Sequence, residues 1–226
     1  AVYAVRRDGF AGPIDLVLSE APPGFKLSGA RVPDGQDQVR LTLTAPPIPK
    51  RRSLTLSLNG RAIVDGQPIV RPVVPAENML QAFAYRHLVP VSELKVVAAE
   101  RTATNMTPSV LNELPLKIPA GGKLVVRMSM PGGMAFDQIR LELDEPPDGL
   151  AIENQPPNAP GGGIQLTCDA AKVKPGLKGN LIVNAFAVKT EEPTRAKAQP
   201  RGRPVPLGML PAIPFEIVPG GRGDSN

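Results

Sequence analysis

Tryptophan is absent from the 226 residues, cysteine and histidine occur once each, and only two tyrosines and six phenylalanines accompany them. Each scarcity removes a class of function. A single cysteine, Cys168, forms no internal disulfide. With one Cys and one His in the chain, the usual zinc sites built from several such ligands have no donors. A histidine-based triad would have to be assembled around His87 alone, which has no nearby cysteine or triad pattern. Few rings, several of them at core positions, disfavour the stacking platforms on which sugars sit. No run approaches the roughly 18 apolar residues of a membrane-spanning helix.

Charge of one sign is lacking too. The 26 basic and 21 acidic residues leave a net +5 but are interspersed, the pattern of a solvated surface and not of a nucleic-acid footprint. What the chain has in quantity is proline, 28, and glycine, 22. Beside an ordinary 42% hydrophobic content these act as punctuation, stopping short strands, and do not signal disorder. The chain opens on the alternating Val2-Tyr3-Ala4-Val5 with neither Met nor signal peptide, and reads as a segment excised from something longer.

The organising feature is a repeat. Ile14 to Gly24, IDLVLSEAPPG, returns as Ile139 to Gly149, IRLELDEPPDG, at an offset of 125. In that register Ile14, Leu16, Leu18, Glu20, Pro22, Gly24, Leu41, Thr42 and Ala45 meet identical residues at 139, 141, 143, 145, 147, 149, 166, 167 and 170. Later the offset drifts, and the sequence sets Arg71-Pro72-Val73 against Arg203-Pro204-Val205 and Leu94 against Phe215. Period-two alternation in Ile14-Leu16-Leu18, Val39-Leu41-Leu43 and Leu54-Leu56-Leu58, with turn chemistry at Pro33-Asp34-Gly35, Asn59-Gly60 and Asp65-Gly66, predicts about seven short strands in each copy. The expected fold is therefore all-β, two tandem immunoglobulin/fibronectin-like β-sandwich domains. Residues 1–98 form the first, 99–112 a polar linker, 113–219 the second and 220–226 a tail. Leu116-Lys117-Ile118-Pro119 is an opening strand for which the first copy has no equivalent, which would leave the first sheet with an open edge. The spacing of Met79, Leu80, Phe83 and His87 predicts one or two helical turns over Glu77 to His87, a segment the second copy lacks.

The repeat also assigns roles. Cys168 stands where Leu43 stands in the first copy, so a buried thiol filling a core position is expected. Glu20 and Glu145 occupy one place in two copies, each before a proline turn, and read as turn residues, since paired-carboxylate chemistry needs both groups on one site. The acidic turns at Asp34 to Asp37 and Asp144 to Asp148 are read as solvated, with no calcium site expected. Neither catalytic residue, nor resident metal, nor cofactor emerges.

The stretches Gly9 to Phe25, Gln38 to Ala45 and Ala82 to Val96 resemble the tandem immunoglobulin-like repeats of very large secreted bacterial proteins, of the kind described near pre-peptidase modules. The second copy departs, with PPDGL in place of PPGF and no AYRHLVP segment. The resemblance implies an exported, non-catalytic module of a multidomain chain, at the cell surface, in the periplasm or outside the cell, and brings no active-site residues with it. Its partners would be neighbouring domains of a longer chain, with a polysaccharide or surface protein as a further candidate, and neither nucleic acid nor a membrane span. An accessory polysaccharide- or cell-wall-binding module attached to a secreted hydrolase is the alternative. Candidate contact residues are the basic group Lys50, Arg51 and Arg52, the copy-specific Tyr85, Arg86 and His87, and the proline-rich basic group Arg195, Lys197, Arg201 and Arg203.

Overall fold

The computed structural model describes residues 1–46, 52–81, 85–98, 109–129, 139–153, 163–187 and 205–220. Among them every regular element is a strand, so the protein is all-β. The chain divides into two compact units, Ala1–Val39 with Leu43–Thr102, and Arg40–Thr42 with Ala103–Asn226.

The first unit runs β1 (Val2–Tyr3), β2 (Ile14–Ser19), β3 (Lys26–Ser28), β4 (Arg31–Val32), β5 (Gln38–Val39), β6 (Thr42–Thr44), β7 (Arg52–Val64), β8 (Gln67–Pro72), β9 (Ala76–Gln81), β10 (Tyr85–Pro90) and β11 (Leu94–Ala98). Its main sheet has the order β11-β7-β2-β4, with β8 also on β7. The pairs β1-β5 and β3-β6 supply the remaining strands. Alternation puts Leu16, Leu56 and Leu58 inward from the main sheet, and they are buried together with Val32 and Val39. The expected alternation Val39-Leu41-Leu43 is interrupted: the strand breaks at Arg40-Leu41, and Thr42 is buried while Leu41 and Leu43 are half-buried. The loop ahead of β2 is organised by Arg6, whose guanidinium donates to the carbonyls of Gly12 (2.6 Å), Pro33 (2.9 Å) and Gln36 (2.8 Å) and lies 3.2 Å from the Asp37 carboxylate.

The second unit runs β12 (Ser109–Val110), β13 (Leu116–Pro119), β14 (Lys123–Ser129), β15 (Ile139–Leu143), β16 (Leu150–Glu153), β17 (Gly163–Cys168), β18 (Lys178–Leu181), β19 (Val183–Ala187), β20 (Val205–Met209) and β21 (Ile213–Val218). One sheet has the order β12-β14-β17-β16; facing it are β15-β19-β20 and β13-β21-β18. Since β18 and β19 are successive pieces of one strand, as are β20 and β21, these are the ABED and CFG sheets of an immunoglobulin-type sandwich, with β13 added alongside the last strand. One continuous core joins the two sheets, Val126, Met128, Leu150, Leu166 and Cys168 from the first meeting Leu116, Ile118, Leu141, Val183 and Phe215 from the second. Cys168 is a free thiol, 5% exposed, in the core as expected, although its counterpart Leu43 is only half-buried. The strand β12 lies inside the stretch read as linker; residues 99–108 and the tail from 221 fall outside the described residues.

The two units share a register. In the first, β2 pairs with β7 through Leu16↔Gly60 and Leu18↔Leu58; in the second, β15 pairs with β19 through Leu141↔Ala185 and Leu143↔Val183. Every one of these residues is separated from its counterpart by the sequence offset of 125.

Candidate interaction surface

The last strand of each sandwich is where the two units part company. In the second unit β20 and β21 are separated only by Leu210 to Ala212: Leu210 N–H donates to Val183 C=O at 2.9 Å, and Ile213 pairs with Leu181. In the first, Val73 N–H donates to Leu58 C=O at 2.8 Å, and Leu94 pairs with Leu56. Leu58 and Leu56 are the counterparts of Val183 and Leu181, so Val73 stands for Leu210, and Leu94 for Ile213 and not for Phe215. By the same pairing Arg71, opposite Gly60, matches Gly208, opposite Ala185, and not Arg203. Sequence alignment mis-set both, because β-pairing constrains this strand while its side chains differ between the copies. Two residues, Pro211 and Ala212, separate Leu210 from Ile213; residues 74–93 fill the same gap in the first unit.

That insertion is a β-hairpin, where helical turns were expected. β9 and β10 pair antiparallel from Ala76↔Pro90 to Arg86↔Leu80 and Tyr85↔Gln81, and the Val91 N–H donates to Pro75 C=O at 2.9 Å to close the base. Among the described residues neither strand joins another sheet. Met79 (51% exposed) and Val89 (39%) share one face with the exposed His87, while Leu80 (69%) and Leu88 (48%) share the other. A hairpin apolar and exposed on both faces has no core of its own, and an isolated two-stranded ribbon is marginal in water. Below it, β7 and β8 run past the end of β2 to a two-residue turn at Asp65 (φ 49°) and Gly66 (φ 76°), both left-handed as a type I′ hairpin demands. Ile63 (64%), Val70 (52%) and Val74 (63%) are exposed along this arm and its exit. Eleven of the sixteen large apolar side chains exposed among the described residues lie in the first unit, so its surface differs in kind from that of the second.

Four of the ten candidate contact residues fall among the described residues. Arg52 begins β7 and is exposed; His87 is exposed on β10; Tyr85 and Arg86 are placed by backbone register in the same strand. Lys50, Arg51, Arg195, Lys197, Arg201 and Arg203 lie outside the described residues, as does Phe83. Among the described residues no three His, Cys, Asp or Glu side chains converge as a metal set. On the outer face of the second unit's first sheet, Glu153 accepts from Lys123 at 2.7 Å and from Gln165 at 2.6 Å; the Lys123 hydrogen bond, then its charge, hold the Glu153 carboxyl below its ordinary value of 4.5. This is a cross-strand ion pair in solvent. The hairpin was the feature sequence reasoning placed correctly, as the difference between copies, and misread in conformation.

Among the described residues no helix is long and apolar enough to cross a membrane. The chain matches no protein-family model and no curated protein. Among solved structures it is similar to Protocadherin Gamma B2 extracellular cadherin domains 1-5, at 12% identity and a TM-score of 0.28, a likeness covering 91% of this chain and 32% of that one. The chain thus spans about a third of that structure's length, and at this score the likeness carries no argument about fold or role.

Proposed function

We propose that this chain is a non-catalytic, tandem pair of immunoglobulin-like modules from a larger exported bacterial protein, serving as a spacer and protein-interaction segment. The observation that carries the reading is the shared register. Two units whose central strands pair residue for residue at one offset are what duplication of a structural part produces, and stacking copies of a part sets length and presents surfaces. Support comes from the distribution of side chains. The reactive residue types are spent on structure, with Cys168 in the core and Glu20 and Glu145 at turns, while the copy-specific insertion is spent on exposed apolar surface.

An antibody raised against the chain tests the reading in the bacterium that makes it. The expected signal is in a polypeptide well above 23.9 kDa, accessible on intact cells or released to the periplasm or medium. A band of 24 kDa confined to the cytosol would sink it. Turnover of a hydrolase substrate by the purified chain, abolished by His87→Ala, would sink the non-catalytic half.

A further inference from the structure

We propose that Asn59-Gly60 in β7 is a self-modification site held shut by the fold: when the first unit's sheet opens, the Gly60 backbone nitrogen attacks the Asn59 side-chain amide, and the product keeps β7 from closing again. Asn59-Gly60 is the one Asn-Gly pair in the chain and reads in sequence as a turn. The structure puts it inside a strand instead, within the unbroken β7. There it is paired on both flanks, Val17↔Asn59 and Leu16↔Gly60 toward β2, Asn59↔Pro72 and Gly60↔Arg71 toward β8.

The chemistry belongs to the dipeptide. The Gly60 nitrogen forms a bond to Asn59 Cγ, the Cγ–Nδ2 bond breaks, and ammonia leaves with the proton that the Gly60 nitrogen gives up. A cyclic succinimide remains. Water then opens the ring at either carbonyl, giving aspartate or isoaspartate, and neither oxidant nor cofactor takes part. Glycine favours the closure because no Cβ hinders its nitrogen. A Cβ at Gly60 would stand 3.2 Å from Ile14 Cγ2, so the close approach of β2 to β7 favours the same residue that makes the pair reactive.

The fold withholds the reaction. Val73 N–H donates to Leu58 C=O at 2.8 Å, and the alternation of an antiparallel ladder turns the Gly60 N–H the same way, toward β8 and opposite Arg71. The Asn59 backbone groups face β2, and its side-chain Nδ2 donates to Ser19 Oγ at 2.6 Å. Nucleophile and electrophile are thus engaged with different neighbours, and the extended backbone holds the nitrogen away from Cγ. Rotation about the Asn59 ψ bond brings them together, but it turns the Asn59 C=O away from β2 and the Gly60 N–H away from β8. The weaker flank is β8, exposed along its whole length and paired with β7 alone among the described residues, as in regions that open below the global unfolding free energy.

The second unit carries the control. The offset of 125 sets Asn184-Ala185 against Asn59-Gly60, in a strand paired likewise on both flanks, with Asn184 opposite Glu142 and Met209. The copy keeps the asparagine, and the Ala185 methyl group hinders ring closure. The product makes the step one-way in the first unit. Isoaspartate routes the main chain through the side-chain carbon, and a strand whose faces alternate cannot absorb the added backbone carbon while Leu56 and Leu58 stay buried. This goes beyond the module reading, since the chemistry is the same whether the chain is a spacer or has another role.

The full chain, held in mildly alkaline buffer at increasing urea, tests it. Peptide mapping by mass spectrometry, with enzymatic methylation of isoaspartate, reads both asparagines. In full denaturant Asn59 is expected to convert at least about tenfold faster than Asn184, and Gly60→Ala to bring it down to the Asn184 rate. In native buffer conversion of Asn59 is expected to slow at least about tenfold, and below the unfolding midpoint to follow hydrogen exchange of the Gly60 amide. Chains carrying isoaspartate are expected to refold without the first unit's cooperative transition, whereas Asn59→Asp, which has the charge and not the added carbon, keeps it. Equal Asn59 rates in native buffer and denaturant would overturn the gating. Equal rates at the two asparagines in denaturant would overturn the site, and recovery of the transition by isoaspartate chains the one-way step.

Discussion

Glu20 and Glu145 both turn the backbone into the left-handed region, at φ 54° and 44°, Glu20 directly after β2 and Glu145 one residue further on, past Asp144, from the end of β15. Left-handed backbone is strained for a residue with a Cβ, by about 1–2 kcal/mol. That one residue type carries the strain at the same step of both copies identifies the step as part of the turn, with Gly24 and Gly149 completing it at φ 91° and 88°.

Glycine at the glutamate positions relieves that strain, while its added freedom in the unfolded chain returns part of the gain. Glu20→Gly and Glu145→Gly are expected to stabilise by up to about 1 kcal/mol each, read as a raised denaturant midpoint.

Gly149→Ala is expected to destabilise by about 2 kcal/mol or more, because left-handed strain adds to a clash. A Cβ there would stand 2.8 Å from Lys172 Cβ and 2.9 Å from Val173 Cγ2, both on one loop of the second unit. Urea unfolding of the variant against wild type measures it, and an unchanged midpoint would contradict the turn geometry.

Cys168 is expected to resist thiol reagents in the native protein and to react at the rate of unfolding. Cys168→Ser buries a hydroxyl among Leu150, Leu166 and Val173 and should cost about 1–3 kcal/mol. Cys168→Leu fills the same site with a larger apolar group, is expected to be tolerated or mildly stabilising, and is the control separating polarity from volume.

The Glu153 carboxyl should titrate below 4.5, and Lys123→Met should move it up toward that value. A carboxyl depressed in the folded state contributes stability above its unfolded pKa and loses it as pH falls through the folded one. The stability difference between wild type and Glu153→Gln is therefore expected at neutral pH and should vanish in acid below the folded midpoint. Side-chain NMR titration reads the first effect and pH-dependent unfolding the second.

Replacing residues 76–90 by a short glycine-serine link should leave both units folded. The strands on either side of the hairpin, β8 and β11, each pair with β7 independently, and the second unit makes the same passage in two residues. The expected changes are a midpoint within about 1 kcal/mol of wild type and a loss of hydrophobic-dye binding. A cooperative collapse of the first unit would show that the hairpin is part of its core.

Sequence disclosed most where burial is one-sided. Ile14-Leu16-Leu18 and its copy alternate because one face meets the core, and the register they imply is the one observed. It failed at Glu77 to His87 for a matching reason: with Met79, Leu80, Leu88 and Val89 exposed on both faces, no period of two develops, and Met79, Leu80, Phe83 and His87 mimic helical spacing. It failed again at Leu94, since strand pairing and not side-chain identity sets that alignment. Charge density singles out Lys50 to Arg52 and Arg195 to Arg203, and the difference between copies singles out Tyr85 to His87; neither criterion carries information on which groups converge.

The parallel seating of β13 against β21 has a mechanical meaning. The two strands lie near opposite ends of the second unit's sequence and point the same way, so tension applied through its two ends slides them along each other. All of their cross-strand hydrogen bonds then bear load together, as in a lap joint, and none is peeled singly. In a polypeptide under tension this unit would yield late.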